Sequence, residues 1–257
     1  MSVVNSISQK KILLAIPVYN EQKYIDAVLD EVGRYTDDIL VIDDGSTDHG
    51  DRILVHRRDT YFVKHPRNLG YGRTIIDAFH FAQNKNYDWV ITMDCDLQHE
   101  PSWIPAIAAA IANDDTDVIS GSRYMKNLVC NSIPPPDRRR INIIITELLN
   151  DKLGLKLTDS FCGFKAYRVT AISRLQLSET GYAFPLEFWV QAAYSSLRIR
   201  EIPVGLIYND NNRLFGGKLD VPEVRLRYYI KVLEDALRKI GEENLPIRNI
   251  SENICWE

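Results

Sequence analysis

Apolar residues fall in short blocks through the first half of the chain, and each block gives way to a stretch with helical spacing. Residues 12–16 form a compact apolar run ended by Pro17, after which Tyr24, Ile25, Val28, Leu29 and Val32 recur along one helix face. The alternation returns with residues 39–42 ahead of the turn Asp44-Gly45-Ser46, with 61–63, with a helix through 78–82, and with the apolar run 89–93. Pro101 then begins another helix. Strands alternating with helices predict an α/β fold: a mostly parallel central sheet flanked by helices.

The regularity fades after Ser120-Gly121-Ser122-Arg123, and Pro134-Pro135-Pro136 predicts a rigid extended connector. Beyond it come an amphipathic segment at 138–149, a strand-like run at 199–204, a closing helix from Val221 to about Lys239, and a polar tail at 242–257. A chain of 257 residues can bury a full core, and the expected organisation is a single domain over 1–241. In the 138–149 segment Arg138-Arg139-Arg140 precede Ile141, Ile144, Ile145, Leu148 and Leu149 at helical spacing. Two readings stand: a core-facing helix with a basic start, or a helix lying on a membrane surface.

In parallel sheets ligands bind beyond the carboxyl ends of the strands, and each polar motif follows an expected strand. Pro17-Val18-Tyr19-Asn20-Glu21 follows the first, Asp43-Asp44-Gly45-Ser46 the second, Arg67-Asn68-Leu69-Gly70 the third and Asp94-Cys95-Asp96 the fourth. One edge of the sheet should therefore collect the chemistry. Alternation on an extended segment puts Asp94, Asp96 and Gln98 on one side, and hard oxygen donors grouped this way suit Mg²⁺ or Mn²⁺ carrying substrate phosphates. The same residues also read as a solvated acidic loop capping the helix begun by Pro101. Gly70 and Gly72 permit a tight turn and close backbone approach, with Arg73 opening the next helix where anions are favoured.

Composition narrows the function classes. The formal net charge of -4, from 31 basic and 35 acidic residues, leaves no global positive field to gather nucleic acid, and no nucleic-acid partner is expected. Cys95, Cys130, Cys162 and Cys255 are scattered, which fits a reducing compartment and argues against a disulfide framework or a zinc cluster. The start is polar and no run approaches the roughly 18 apolar residues that span a bilayer, so the expectation is a cytoplasmic protein, with peripheral membrane contact left open by the 138–149 segment.

Taken in order, the four motifs above, with Gly72 extending the third and Gln98-His99 the fourth, are followed by Gly121-Ser122-Arg123 and Cys162-Gly163-Phe164-Lys165. This series resembles the family 2 glycosyltransferases of the GT-A fold, specifically the polyprenyl-phosphate branch that includes dolichol-phosphate mannose synthases. The resemblance runs from about residue 12 to residue 219. It implies a GT-A, Rossmann-like fold in which 10–123 binds a nucleotide-sugar donor, a GDP- or UDP-sugar, and 124–241 is a C-terminal acceptor-side elaboration.

The resemblance further implies that Pro17, Tyr19, Glu21, Ile42 and Asp44 shape the pocket for base and ribose, an aromatic face and a carboxylate suiting a base with N–H donors. Asp43 more simply supports its turn. Gly70, Arg73 and Cys95 belong to the same donor site. Asp94, Asp96 and Gln98 are implied to hold Mg²⁺ or Mn²⁺ against the diphosphate, with Asp96 catalytic through stabilisation of the leaving group. Arg123, Arg213 and Lys218 are the implied further contacts to phosphates and sugar. The segments 158–165 and 181–187 are implied to surround the acceptor, with Asp159 and Glu187 as candidates for general base or for orienting it; Glu187 equally reads as a helix-start carboxylate.

Two features depart from the branch. Gly216-Gly217-Lys218 stands where many members carry a serine before the lysine, and no C-terminal transmembrane pair is seen. The implied activity is metal-dependent, inverting transfer of a sugar to a polyprenyl phosphate reached from the membrane surface. The alternatives are the same donor chemistry on a saccharide, protein or small-molecule hydroxyl, or a catalytically silent nucleotide-binding module.

Overall fold

The computed structural model describes residues 10–125, 132–205, 207 and 215–241. In chain order the elements are β1 (Ile12–Val18), α1 (Gln22–Val32), β2 (Ile39–Asp43), α2 (Gly50–His56), β3 (Tyr61–Lys64), α3 (Tyr71–Asn84), β4 (Trp89–Thr92), α4 (Ile104–Ala112) and β5 (Val118–Ser122). They continue with α5 (Pro136–Leu153), β6 (Lys165–Arg168), α6 (Val169–Ile172), α7 (Phe184–Tyr194), β7 (Ile199–Pro203) and α8 (Pro222–Lys239). One seven-stranded sheet runs in the order β3-β2-β1-β4-β6-β5-β7. All neighbours are parallel except β6, which runs antiparallel to both β4 and β5.

Alternation along each strand divides the core into two layers. Leu13, Ala15, Leu40, Ile42 and Val90 face the side covered by α3, α5, α7 and α8, while Leu14, Ile16, Val41, Trp89 and Ile91 face α1 and α4. Each fully buried aliphatic side chain contributes about 1.5–3 kcal/mol, so these two faces fix the register of the sheet. The α1 helix buries Ile25, Val28, Leu29 and Val32, the stripe expected from spacing. Its N-cap residue, Glu21, makes no side-chain capping bond to the helix; Asp48, from the loop after β2, accepts the Gln22 amide at 2.7 Å instead.

Several boundaries differ from the sequence expectation. The first strand does not stop at Pro17 but runs through Val18, with Pro17 opposite Ile42. Pairing with β4 ends at Ala15 and Thr92, so the missing proline N–H falls where β1 has no partner on that side. Pro136 is not part of an extended connector but the first residue of α5, where its lacking N–H leaves no intrahelical bond unmade. The α5 stripe is core-facing, with Ile141, Ile145 and Leu149 buried. Regularity in fact continues after Arg123 through β6, α7 and β7. Spacing hides β6 because its four residues include two cations, and Lys165 is nonetheless buried.

β1 is followed along the chain by strands on one side of it, and then β4 returns to its other side. The carboxyl ends of β1 and β4 therefore frame a topological switch point, where such sheets leave a crevice. Among the described residues no helix is long and apolar enough to cross a membrane.

Candidate active site

A cleft of ≈ 610 Å³ opens at that switch point and extends under α5 and α8. Pro17, Tyr19 and Glu21 after β1, Asp44 after β2, Gly70 before α3, and Asp94, Cys95, Asp96 and Gln98 after β4 all line it, together with Arg123 after β5. Ile42 instead lies in the core, because its position in β2 points it at the α3 layer. Arg73, Lys218, Asp159 and Glu187 do not line the cleft either. Arg213 and the 242–257 tail lie outside the described residues.

The loops after β1 and β2 are bonded to each other. Asn20 donates its amide to Ser46 Oγ at 2.9 Å and accepts the Thr47 amide on Oδ1 at 2.8 Å, from a left-handed backbone with φ of 57°. Asp43 accepts the Ser46 amide at 2.8 Å. Asp44 reaches the next loop: its carboxylate takes the amides of Leu69 and Gly70 at 2.8 and 2.9 Å and faces His65 Nδ1 at 2.7 Å. His65 Nε2 lies 3.0 Å from Asp77, which also accepts from Arg73 Nε at 2.8 Å. The chain Asp44, His65, Asp77, Arg73 thus ties the turn after β2 to the first turn of α3. His65 carries no sequence signal for this role, since its partners lie 21 and 12 residues away.

Gly70 is required by geometry. Its φ is +102°, and a Cβ there would run into the Thr180 carbonyl, which the loop before α7 presses against the start of α3. That loop is held by Glu187, whose buried carboxylate accepts the amides of Ser178 and Glu179 at 2.7 and 2.6 Å, the Ser178 hydroxyl at 2.7 Å and Lys239 Nζ at 3.2 Å. Burial alone would raise the Glu187 pKa, but these donors outweigh it and lower it.

At the end of β4, Asp94 and Asp96 reach the cleft with Leu97 between them and Gln98 in a left-handed conformation, φ 57°. A leucine held there stores strain, a frequent mark of functional loops. Asp96 Oδ1 accepts the Gln98 amide at 3.0 Å. His99 Nε2 is 3.5 Å from Asp94 Oδ2, and the ring is buried with Nδ1 unpartnered. Behind Asp94 lies Gly163, whose carbonyl accepts the Thr92 hydroxyl at 2.7 Å. A Cβ on Gly163 would collide with the Asp94 carboxylate. Gly163→Ala is therefore expected to displace Asp94 and lower kcat/KM about 10²-fold with little change in unfolding midpoint, checked by steady-state kinetics beside urea denaturation.

Behind the far wall Asp159, with no exposed surface, receives Arg123 Nε at 2.6 Å and Nη2 at 2.9 Å, and Asn142 Nδ2 at 2.8 Å. Burial would push its carboxyl up, but the Arg123 guanidinium prevails and holds it down to about 2. Glu201 on β7 supports the same segment by accepting the amides of Thr158 and Asp159 at 2.8 and 3.1 Å. Thr146 and Ser160 share a hydroxyl bond of 2.8 Å. Asn142, Thr146 and Glu201 carry no sequence signal for this role, because polar positions within an amphipathic helix or an edge strand look like solvent-facing ones. Lys165 is buried among these groups, which lowers its pKa, and donates to the Cys162 carbonyl.

The wall of the cleft beside α5 and α8 is aromatic and cationic. Tyr71 stacks on Tyr182 with centroids 6.1 Å apart, and Tyr182 meets the edge of Phe215 at 5.4 Å. Arg138 and Arg225 lie over the Phe215 ring at 4.7 and 4.5 Å. Burial, then the Asp94 charge, raises the Tyr71 pKa and keeps its hydroxyl protonated.

A mostly parallel sheet carrying one antiparallel strand, with acidic loops at the switch point and an aromatic second wall, defines the class: a GT-A glycosyltransferase fold. Glucosyl-3-phosphoglycerate synthase from Mycobacterium tuberculosis, solved with Mn²⁺, UDP and glucosyl-3-phosphoglycerate, superposes with a TM-score of 0.67 at 16% identity, covering 88% of this chain and 80% of its own. The chain belongs to glycosyl transferase family 2, whose model matches residues 14–176. Among its relatives, the UDP-N-acetylglucosamine–dolichyl-phosphate N-acetylglucosaminyltransferase of Methanococcus voltae is 30% identical over 79% of this chain and 88% of its own length. The undecaprenyl-phosphate mannosyltransferase of Micrococcus luteus is 27% identical over 80% of this chain and 88% of its length. The protein is thus a glycosyltransferase with polyprenyl-phosphate sugar transferases among its homologues.

Proposed function

We propose that this enzyme transfers a single sugar, with inversion, from a nucleotide-sugar donor to a polyprenyl phosphate. The observation carrying this reading is the state of its two candidate bases. A hydroxyl acceptor must lose a proton, and general-base catalysis works best with a pKa near the operating pH. Asp159 is held at about 2 by Arg123, and Glu187 is lowered and consumed by four donors outside the cleft. Neither has the character of a proton acceptor. A phosphate acceptor is already anionic and requires none, and the arginine and aromatic wall suits a phosphate joined to an isoprenoid chain.

In this reading Tyr19, 42% exposed on the cleft, offers its ring to the base, while Asp44 acts mainly by holding the Leu69 and Gly70 amides in place. Asp159 is a positioning residue that orients Arg123 toward the phosphates, and Glu187 positions the 178–181 loop against α3. Among the described residues no group of three His, Cys, Asp or Glu side chains is gathered to hold a metal alone. Two carboxylates fit a Mg²⁺ or Mn²⁺ ion that takes its other ligands from diphosphate and water, with Gln98 beside them. Asp94 and Asp96 would hold it, and when bound it would supply positive charge to the departing diphosphate. Asp94 is in turn steadied by His99 and by the close approach of Gly163.

The test is transfer of radiolabelled sugar from GDP- and UDP-sugars to a short-chain polyprenyl phosphate, compared with hydroxyl acceptors. Transfer to the phosphate alone is expected. Glu187→Gln should lower that turnover by less than about tenfold, whereas removal of a true general base would lower it by about 10²–10⁴. A loss in the latter range, with the fold intact by circular dichroism, would reassign Glu187 to catalysis.

A further inference from the structure

The loop that carries Thr180 against the start of α3 is fastened at both ends. Glu187 and Lys239 hold its first residues, and the Glu179 side chain holds its last. Glu179 Oε1 accepts the Gly181 amide at 2.7 Å and the Tyr228 hydroxyl, also at 2.7 Å, which ties the loop to α8. Burial, then the bond to Glu179, raises the Tyr228 pKa, so its hydroxyl stays a donor. Tyr228 lines the cleft and Glu179 does not. Glu179 lies instead on a second cavity of ≈ 490 Å³, which Ser178, Glu187 and Lys239 also line. The cations of that cavity are paired, Lys239 with Glu187 at 3.2 Å and Arg238 with Asp235 at 3.1 Å, so it gives the loop room to shift rather than a site for a ligand.

The other face of the loop meets the donor side. A Cβ on Gly70 would meet the Thr180 carbonyl and a Cβ on Gly72 the Glu179 carbonyl, so the first turn of α3 lies directly on residues 179 and 180. The Thr180 carbonyl also accepts the Arg73 amide at 3.1 Å. Gly70 in turn donates its amide to Asp44 at 2.9 Å, and Asp44 lines the cleft. A continuous series of contacts therefore runs from Tyr228 through Glu179 and the Thr180 carbonyl to the turn after β2. Groups packed this closely transmit a displacement to their neighbours.

We propose that Glu179 is a positioning residue for nucleotide binding: from outside the cleft it fixes the loop that holds Gly70, and through Gly70 the Asp44 turn, in the binding arrangement. The inference rests on the reading of the cleft as a donor site and not on the identity of the acceptor. Tyr228 acts in the same unit, because its hydroxyl is engaged by the Glu179 carboxylate. Charge is not what the role requires. One oxygen takes both donors, and a glutamine carbonyl oxygen can do the same, whereas alanine releases both.

The test is calorimetric titration of the full chain with GDP and with UDP, in the presence of Mn²⁺ and without acceptor, followed by steady-state transfer kinetics. E179A should weaken nucleotide binding about tenfold and raise the donor KM with it, while kcat changes less than about twofold. E179Q should restore affinity to within about threefold of the wild type, since both bonds are kept. Y228F removes one of the two donors and should give a smaller loss, and E179A/Y228F should bind no more weakly than E179A, because the two residues act together. Wild-type affinity in E179A would overturn the inference, as would an E179Q as impaired as E179A, or losses that add in the double variant. A wild type that binds neither nucleotide would overturn the donor reading and the inference with it. Transfer failing while the affinities follow the expected order would support the inference and strike the acceptor assignment alone.

Discussion

Asp96→Asn is expected to lower sugar transfer about 10³-fold or more and to abolish metal-dependent nucleotide binding, without unfolding the protein. The substitution removes charge but little else, since an asparagine oxygen can still accept the Gln98 amide that Asp96 Oδ1 takes at 3.0 Å. The strained Leu97 turn is therefore retained, and the loss reports the electrostatic task of the carboxylate. Calorimetric titration of GDP, UDP and their sugar conjugates, with Mn²⁺ and with chelator, checks both halves of the expectation. Wild-type binding that ignores chelator, or a variant that keeps full turnover, would remove Asp96 from the metal site.

Asp159→Asn should cost about 3–5 kcal/mol of folding stability at neutral pH, because it leaves the largely buried Arg123 guanidinium beside a neutral group where a fully buried carboxylate stood. The effect also has a pH signature. The folded pKa is depressed to about 2 from the ordinary 3.8, so the carboxylate's contribution is fully present above about pH 4 and is lost as pH falls toward 2. That depression corresponds to about 2 kcal/mol. Urea denaturation between pH 7 and pH 2 should show the wild type losing this increment over the acid window and the variant lacking it. Equal stability of the two proteins at pH 7 would show that the pair does not support the fold.

Both substitutions strike groups that the motifs had flagged, yet the two carboxylates differ in kind. Asp96 opens on the cleft, and Asp159 is sealed behind Arg123. Nothing in their spacing distinguishes them, because exposure at the end of a strand and burial under a helix are set by what packs on top. Asp159 is covered by α5, which sends Asn142 onto its carboxylate, and by the Trp189 layer of α7, whose indole donates to the Ser160 carbonyl at 2.9 Å. Glu187 behaves similarly: a carboxylate at a helix start in the sequence becomes, in space, the clamp on the loop that presses Thr180 against Gly70.

The sequence by itself determined the alternation of strands and helices, the gathering of four polar motifs at one sheet edge, and the family. Apolar periodicity and turn chemistry are local, and a residue's neighbours in the chain suffice to express them. Only the tertiary structure decided that Ile42 belongs to the core, that the α5 stripe faces inward, that His65 bridges Asp44 and Asp77, and that the carboxylates of Asp159 and Glu187 are each surrounded by hydrogen-bond donors. Each of these depends on groups far apart in the chain meeting at hydrogen-bond distance, as Arg123 meets Asp159 across 36 residues and Thr158 meets Glu201 across 43. Burial and partner identity, which set whether a carboxylate is a base, a ligand or a clamp, are properties of the packed chain and have no local code.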